Sequence, residues 1–156
     1  MQMAVIEFAR NKLKMKKATS SEFGFSKASI VGLMNEWIKE GKTVKGTDKN
    51  LGGTMRLGLY EAKLKENSII SNIYKSKSIK ERHRHRYEVN INFKNEFEKK
   101  GMIFSGLSPD GKLPEIIELK NHPWFVGVQF HPEFKSRPLS PHPLFSSFIK
   151  ATKKVK

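Results

Sequence analysis

The feature that most constrains this chain is the run Trp124-Phe125-Val126-Gly127-Val128-Gln129-Phe130, followed at once by His131-Pro132-Glu133. The run is almost wholly apolar, which predicts a buried strand of the kind found at the centre of an α/β sheet. Proline has no N–H to give to a ladder, so the strand is expected to stop at His131. An imidazole and a carboxylate then stand at the strand's C-terminal end, where open α/β sheets carry their active sites. With the chain extended through Pro132, residues 131 and 133 project to the same side. A carboxylate that accepts from one ring nitrogen fixes the tautomer and leaves the other nitrogen as a base. That is two-thirds of a catalytic triad, and the nucleophile has to come from elsewhere.

Composition narrows the choice. The 156 residues suffice for one domain with its own core. There is no cysteine, which excludes a disulfide framework, a thiolate metal site and a cysteine nucleophile within these residues. No apolar run approaches membrane-spanning length. Glu7 and Arg10 interrupt the N-terminal apolar residues, so there is no signal-peptide pattern. The net charge of +15 is carried by lysines scattered in pairs, which reads as solvated surface more than as a nucleic-acid footprint.

Along the chain, Ile6, Ala9 and Leu13 predict a helix over residues 1–16 that has no N-cap sequence before it. Ala18 to Gly24 is a loop by composition and carries Glu22. The apolar run Ile30–Met34 fits strand or helix, with Trp37-Ile38 beyond it. Residues 42–53 are a polar, glycine-rich loop of the kind that forms lids. Met55, Leu57 and Leu59 alternate with Arg56, Gly58 and Tyr60, predicting a half-buried strand. Ile69, Ile70, Ile73 and Tyr74 fit a short helix.

In Arg82-His83-Arg84-His85-Arg86-Tyr87 the arginines share one face of a strand, and His83, His85 and Tyr87 the other. Flanking guanidiniums oppose a cation, so a His-x-His metal site is disfavoured. A phosphate site and a carboxylate clamp both remain open for the arginines. Phe93 and Phe97 predict a helix closed by Gly101. Met102–Phe104 and Ile116–Leu119 predict a hairpin turning at Pro109-Asp110-Gly111. Leu144, Phe145, Phe148 and Ile149 form a closing helix before a frayed tail, Lys153–Lys156.

Four segments carry a resemblance: Leu51–Gly58 (LGGTMRLG), Glu81–Asn90 (ERHRHRYEVN), Gln129–Phe134 (QFHPEF) and His142–Phe145 (HPLF). Together they resemble the C-terminal glutamine amidotransferase domain of the CTP synthase family. The likeness runs from residue 1 to about residue 151, leaving 152–156 as a basic tail. It implies an α/β fold of the class I glutamine amidotransferase type, a flavodoxin-like open sheet, here truncated at its N-terminus. It implies a ligase that hydrolyses glutamine and passes the ammonia to a separate synthetase domain, which uses ATP and Mg²⁺ to convert UTP to CTP. The family is cytoplasmic, forms homo-tetramers, and needs neither membrane nor nucleic acid.

Residue by residue, the resemblance implies that His131 is the general base and Glu133 its orienting carboxylate. Glu22 and Arg86 resemble the pair that holds the ammonium and carboxylate of glutamine. Met1 and Gln2 match the end of the family's Cys-Leu-Gly-Met-Gln run, and so would line the substrate site. The cysteine would lie three positions before residue 1, so this chain alone is expected to be inactive and to leave the apolar face of residues 1–16 uncovered. The loop from about Lys42 to Thr54 resembles the lid that responds to the activator GTP. The rival reading is a basic nucleic-acid-binding module using Arg82–Arg86, against which Glu81 and Glu88 bracket the run.

Overall fold

The computed structural model describes residues 1–24, 26–33 and 55–153. The chain opens with α1 (Gln2–Asn11), β1 (Thr19–Ser20), β2 (Ser29–Leu33), β3 (Arg56–Leu64), α2 (Ile69–Tyr74), β4 (Ser78–His85) and β5 (Tyr87–Val89). It continues with α3 (Lys94–Lys99), β6 (Met102–Leu107), β7 (Pro114–Leu119), β8 (Val126–Val128) and α4 (Pro143–Thr152). Short 3-10 turns cover Ser21–Phe23, Ile91–Phe93 and Pro132–Lys135. The expected lid over 42–53 and the segment from Met34 through Trp37-Ile38 lie outside the described residues. No helix among the described residues is long and apolar enough to cross a membrane.

Two sheets result, β1-β2-β5 and β4-β3-β6-β7-β8. In the first, β1 runs parallel to β2 and β5 antiparallel to it. In the second every neighbouring pair is antiparallel. The 124–130 run was expected to be a central strand. Among the described residues it is instead an edge strand of three residues, half-buried and paired with β7. Trp124 and Phe125 flank it outside the ladder, and Gln129 and Phe130 are the residues that bury. At Gly127 a Cβ would stand 2.9 Å from Ile117 Cγ1 and 3.6 Å from Met1 Cα, so only glycine lets β8 lie against β7 and the start of α1.

The helix predicted over 1–16 ends at Asn11, because Lys14 adopts a left-handed conformation (φ 64°) and Met15 N–H turns back to Ala9 C=O at 3.0 Å. Its apolar face, expected to be uncovered, is buried: Val5, Ile6, Phe8 and Ala9 pack with Ile30, Val31, Val89, Phe97 and Ile117. Phe8 stacks on Phe97 with ring centroids 5.8 Å apart. Gly101 closes α3 at φ 97°, as its position predicted, and Gly111 closes the turn between β6 and β7.

β3 reverses its expected faces. Leu57 and Leu59 are exposed, and Arg56 points inward at 5% exposure. The register pairs Arg56 with His85 and Gly58 with His83, while Leu57 and Leu59 sit opposite the exposed Arg84 and Arg82. The inward face belongs to Arg56 because two buried carboxylates, Glu88 and Glu115, wait there. With Arg56 turned outward, Glu88 and Glu115 would stay buried without their guanidinium partner, and an uncompensated buried charge is strongly destabilising. In α4 only Leu144 is buried; Phe145, Phe148 and Ile149 face outward.

Candidate active site

β8 delivers Gln129 and Phe130 inward and His131 to the surface. His131 N–H donates to Arg82 C=O at 2.8 Å, which ties the end of the run to β4. Pro132 then starts a 3-10 turn, where it costs no hydrogen bond. The chain therefore does not stay extended through Pro132, as expected, yet the pair still meets. His131 Nδ1 lies 2.7 Å from Glu133 Oε1, with side chains 36% and 56% exposed. A carboxylate only accepts, so Nδ1 carries the proton, and Nε2 is the nitrogen left with a lone pair. The His131 ring also stacks on Phe134 at 4.8 Å and 15°, which restrains its rotation. Partial burial acts to raise the Glu133 carboxyl, but the hydrogen bond from His131 and nearby histidine charge hold it below its usual value.

Behind this surface pair lies a buried polar cluster that the sequence reading did not anticipate. Arg56 Nη1 is 2.6 Å from Glu115 Oε1 and 3.3 Å from Glu88 Oε1, and Arg56 Cζ sits 4.4 Å over the Tyr60 ring. His83 Nδ1 meets His85 Nε2 at 2.9 Å, and His85 Nδ1 reaches Tyr87 C=O at 3.0 Å. Burial, then the charges of Arg56 and neighbouring histidines, lower His83 to about 3. Burial likewise lowers His85 to about 4. Both rings are therefore neutral. Burial pushes Glu88 up to about 8 and also raises Glu115, against the pull of Arg56.

Donor logic then places the protons. Tyr87 C=O only accepts, so His85 Nδ1 carries a proton and its Nε2 accepts from His83 Nδ1–H. His83 Nε2 then faces Glu115 Oε2 across 3.7 Å, beyond hydrogen-bond reach, and that buried oxygen has no hydrogen-bond partner. Both oxygens of Glu88 face donors, Arg56 and the Gln129 amide. Burial raises both carboxyls, so Glu88 and Glu115 titrate as a pair that keeps a proton a free carboxyl would lose, and Glu115 Oε2 is the oxygen of the pair that faces no donor. His83, His85, Glu88 and Glu115 do not form a metal site. The Arg56 guanidinium occupies the place a cation would take, and no group of metal-ligating side chains occurs among the described residues.

The structure places the other expected site residues as follows. Gln2 Nε2 donates to Tyr87 C=O at 2.6 Å and to Gln129 Oε1 at 3.1 Å, so Gln2 is held two residues from His131 along the Gln129–His131 segment. Met1, half-buried, packs against the core beside Gly127. Glu22, exposed, lies in the turn just past β1, and Arg86, half-buried, lies just before β5. Ser20 pairs with Val31 and Tyr87 with Leu33, so Glu22 and Arg86 follow and precede strands at the same end of the three-stranded sheet. β4 ends at His85, so Arg86 leaves the face shared by Arg82 and Arg84. The hydrogen bonds of Glu22 do not bring its carboxylate to His131: its backbone N–H donates to Ser20 Oγ at 3.3 Å.

Glu81 also belongs to a buried pair. Its Oε1 accepts from Tyr74 OH at 2.9 Å and from His142 Nε2 at 3.1 Å, and Lys135 Nζ stands 3.4 Å from Oε2. The alternation that buries His83 also buries Glu81, and this parity was the only signal in the sequence for it.

The glutamine amidotransferase class-I family profile matches residues 1–151. A CTP synthase of Pelagibacter ubique is 79% identical over all 156 residues, which make up 29% of its length. A CTP synthase of Hyphomonas neptunium is 59% identical over 155 residues, 28% of its length. The chain thus spans under a third of the curated relatives it matches. The solved glutaminase domain of Trypanosoma brucei CTPS, with bound acivicin, superposes with a TM-score of 0.83 at 34% identity, covering all of this chain and 58% of that one. These likenesses support the amidotransferase reading and give none to the nucleic-acid module. On fold, motif order and similarity alike, this chain belongs to the class-I glutamine amidotransferase family.

Proposed function

We propose that these residues form the general-base half of a glutamine-hydrolysing site in a CTP synthase. The observation that carries this is the contact of 2.7 Å between His131 Nδ1 and Glu133, which leaves Nε2 as a base at the protein surface. The nucleophile is a thiolate supplied by sequence outside these residues, since they contain no cysteine. His131 Nε2 takes the proton of the thiol, and the resulting thiolate adds to the carboxamide carbon of glutamine. The imidazolium gives that proton to the leaving ammonia, and His131 then takes a proton from the water that opens the thioester, releasing glutamate and the thiolate.

Glu22 binds the ammonium of glutamine, Arg86 its carboxylate, and Gln2 and Met1 line the pocket. Ammonia passes to a synthetase domain that phosphorylates UTP with ATP and Mg²⁺, under activation by GTP, in a cytoplasmic homo-tetramer.

The test is to graft these 156 residues onto the aligned segment of the Pelagibacter ubique relative. Glutamine-dependent CTP formation is expected, and His131→Ala should lower it by about 10²–10⁴-fold while ammonia-dependent formation persists. Arg86→Ala should raise KM for glutamine and spare the ammonia reaction. Equal loss with both nitrogen sources would overturn the assignment.

A further inference from the structure

A file of side-chain amides and carboxylates leads from the protein's interior to Gln2, and each member decides which way the next one points. Arg56 is a pure donor and faces Glu88 Oε1 at 3.3 Å. Glu88, 1% exposed, accepts with its other oxygen from Gln129 Nε2 at 3.0 Å. That contact turns Gln129 Oε1 toward Gln2, whose Nε2 donates to it at 3.1 Å and to Tyr87 C=O at 2.6 Å. Tyr87 C=O is itself held by His85 Nδ1–H, at the end of the His83–His85 file. Two polar arms thus converge on one amide nitrogen. The side-chain hydrogen bonds of Gln2 run through Nε2, so its Oε1 is turned away from the network.

We propose that Glu88 and Gln129 are positioning residues that lock the Gln2 amide with its nitrogen inward and its oxygen outward, so that Gln2 meets the substrate as an acceptor. This rests on the reading of Gln2 as lining the glutamine site. An acceptor there selects a donor, the carboxamide N–H or the ammonium of glutamine, and repels a carboxylate. Because each link from Arg56 to Gln2 is a donor facing an acceptor, the polarity of that arm is set at Glu88, which accepts at both ends, just as Tyr87 C=O accepts at both ends of the other arm. Glu88→Gln, nearly identical in shape, cannot do so. Its oxygen must serve Arg56, which leaves its NH₂ facing Gln129. Gln129 then turns over, and its NH₂ confronts the NH₂ of Gln2. Either Gln2 turns over too or its bond to Gln129 breaks, and in both cases its amide protons reach solvent.

The experiment is NMR of the 156-residue chain, read on the Gln2 side-chain amide. In the wild type both amide protons should be shifted apart and slow to exchange. Glu88→Gln should speed their exchange at least about tenfold, with backbone amides of α1 and β5 unmoved. Gln129→Met, which removes one acceptor without touching Arg56, should give a smaller rise and keeps the test open if Glu88→Gln does not fold. Gln2 amide protons as slow in both variants as in the wild type would overturn the proposal. Glutamine kinetics of the grafted full-length protein separate the two readings. A protected Gln2 amide, with Glu88→Gln leaving KM for glutamine unchanged in the grafted protein, supports the orientation and overturns only the substrate assignment.

Discussion

Two histidine–carboxylate pairs are joined through Lys135 of the Pro132–Lys135 turn, and their surroundings assign them opposite tasks. At His131–Glu133 one ring nitrogen is held at 2.7 Å and the pair is open to water. At His142–Glu81 both ring nitrogens are engaged: Nε2 with Glu81 and Tyr74, Nδ1 as acceptor for Leu144 N–H at the start of α4. Each of those side chains is 3% exposed. A base needs a free lone pair and a path for protons, and only the first pair offers them. The second spends its valence on structure, joining β4, α2 and α4 and, through Lys135, the turn that carries Glu133. The same chemical pair is a reagent where it is half-satisfied and exposed, and a fastener where it is fully satisfied and buried.

The largest effect expected from this contrast is on stability. Glu81→Ala strips the acceptor from Tyr74 OH and His142 Nε2–H and leaves Lys135 unpaired. Breaking a buried pair of this kind should cost ~3–5 kcal/mol in urea unfolding. A loss below ~1 kcal/mol would show that the buried pair is no fastener.

Next comes the pH dependence set by the cluster behind the site. His83 and His85 stay neutral down to about 3 and about 4 when folded. Below pH ~6.5 the unfolded chain binds protons that the folded chain refuses, so stability falls as pH drops through that range. Glu115 and Glu88, both raised by burial, act in the opposite sense. The folded pair keeps a proton that unfolded carboxyls lose above pH ~4.3, and stability falls as pH rises until the folded pair gives it up near Glu88's value of about 8. The stability maximum should lie near pH ~6.5, with an alkaline limb of up to about 1.4 kcal/mol per pH unit for one proton. Glu115→Gln, which keeps the donor and cannot ionise, should flatten that limb. A limb unchanged in this variant would mean that the shared proton sits elsewhere.

The smallest stability effect belongs to the exposed pair. Glu133→Ala should cost under ~1 kcal/mol, since exposed ion pairs contribute little. It should nonetheless release His131 from the Nδ1–H tautomer, visible in the ring nitrogen shifts. A tautomer ratio that does not respond would remove Glu133 from its orienting role.

Much of the plan was legible in the chain itself. The hairpin turn at Pro109–Gly111, the helix stop at Gly101, the strand at Arg56–Leu64 and the inward parity of His83 all follow from turn chemistry and period-two alternation. Apolar character alone did not decide burial. Leu57, Leu59, Phe145 and Phe148 face outward, and the Trp124–Phe130 run lies at a sheet edge. Periodicity says which residues share a face, but not which face finds a partner.

The amino-acid order by itself determined the meeting of His131 and Glu133. They stand two positions apart, and the single proline between them permits either an extended chain or a 3-10 turn, both of which bring the groups together. Only the tertiary structure decided that Arg56 is buried, that Glu81 and His142 are fasteners, and that Gln2 points its nitrogen inward. Arg56 reaches Glu115 across 59 positions, His142 reaches Glu81 across 61, and Gln2 reaches Gln129 across 127. Local rules carry no information over such separations. Those contacts exist because a buried donor without an acceptor costs more than the chain entropy needed to bring one to it.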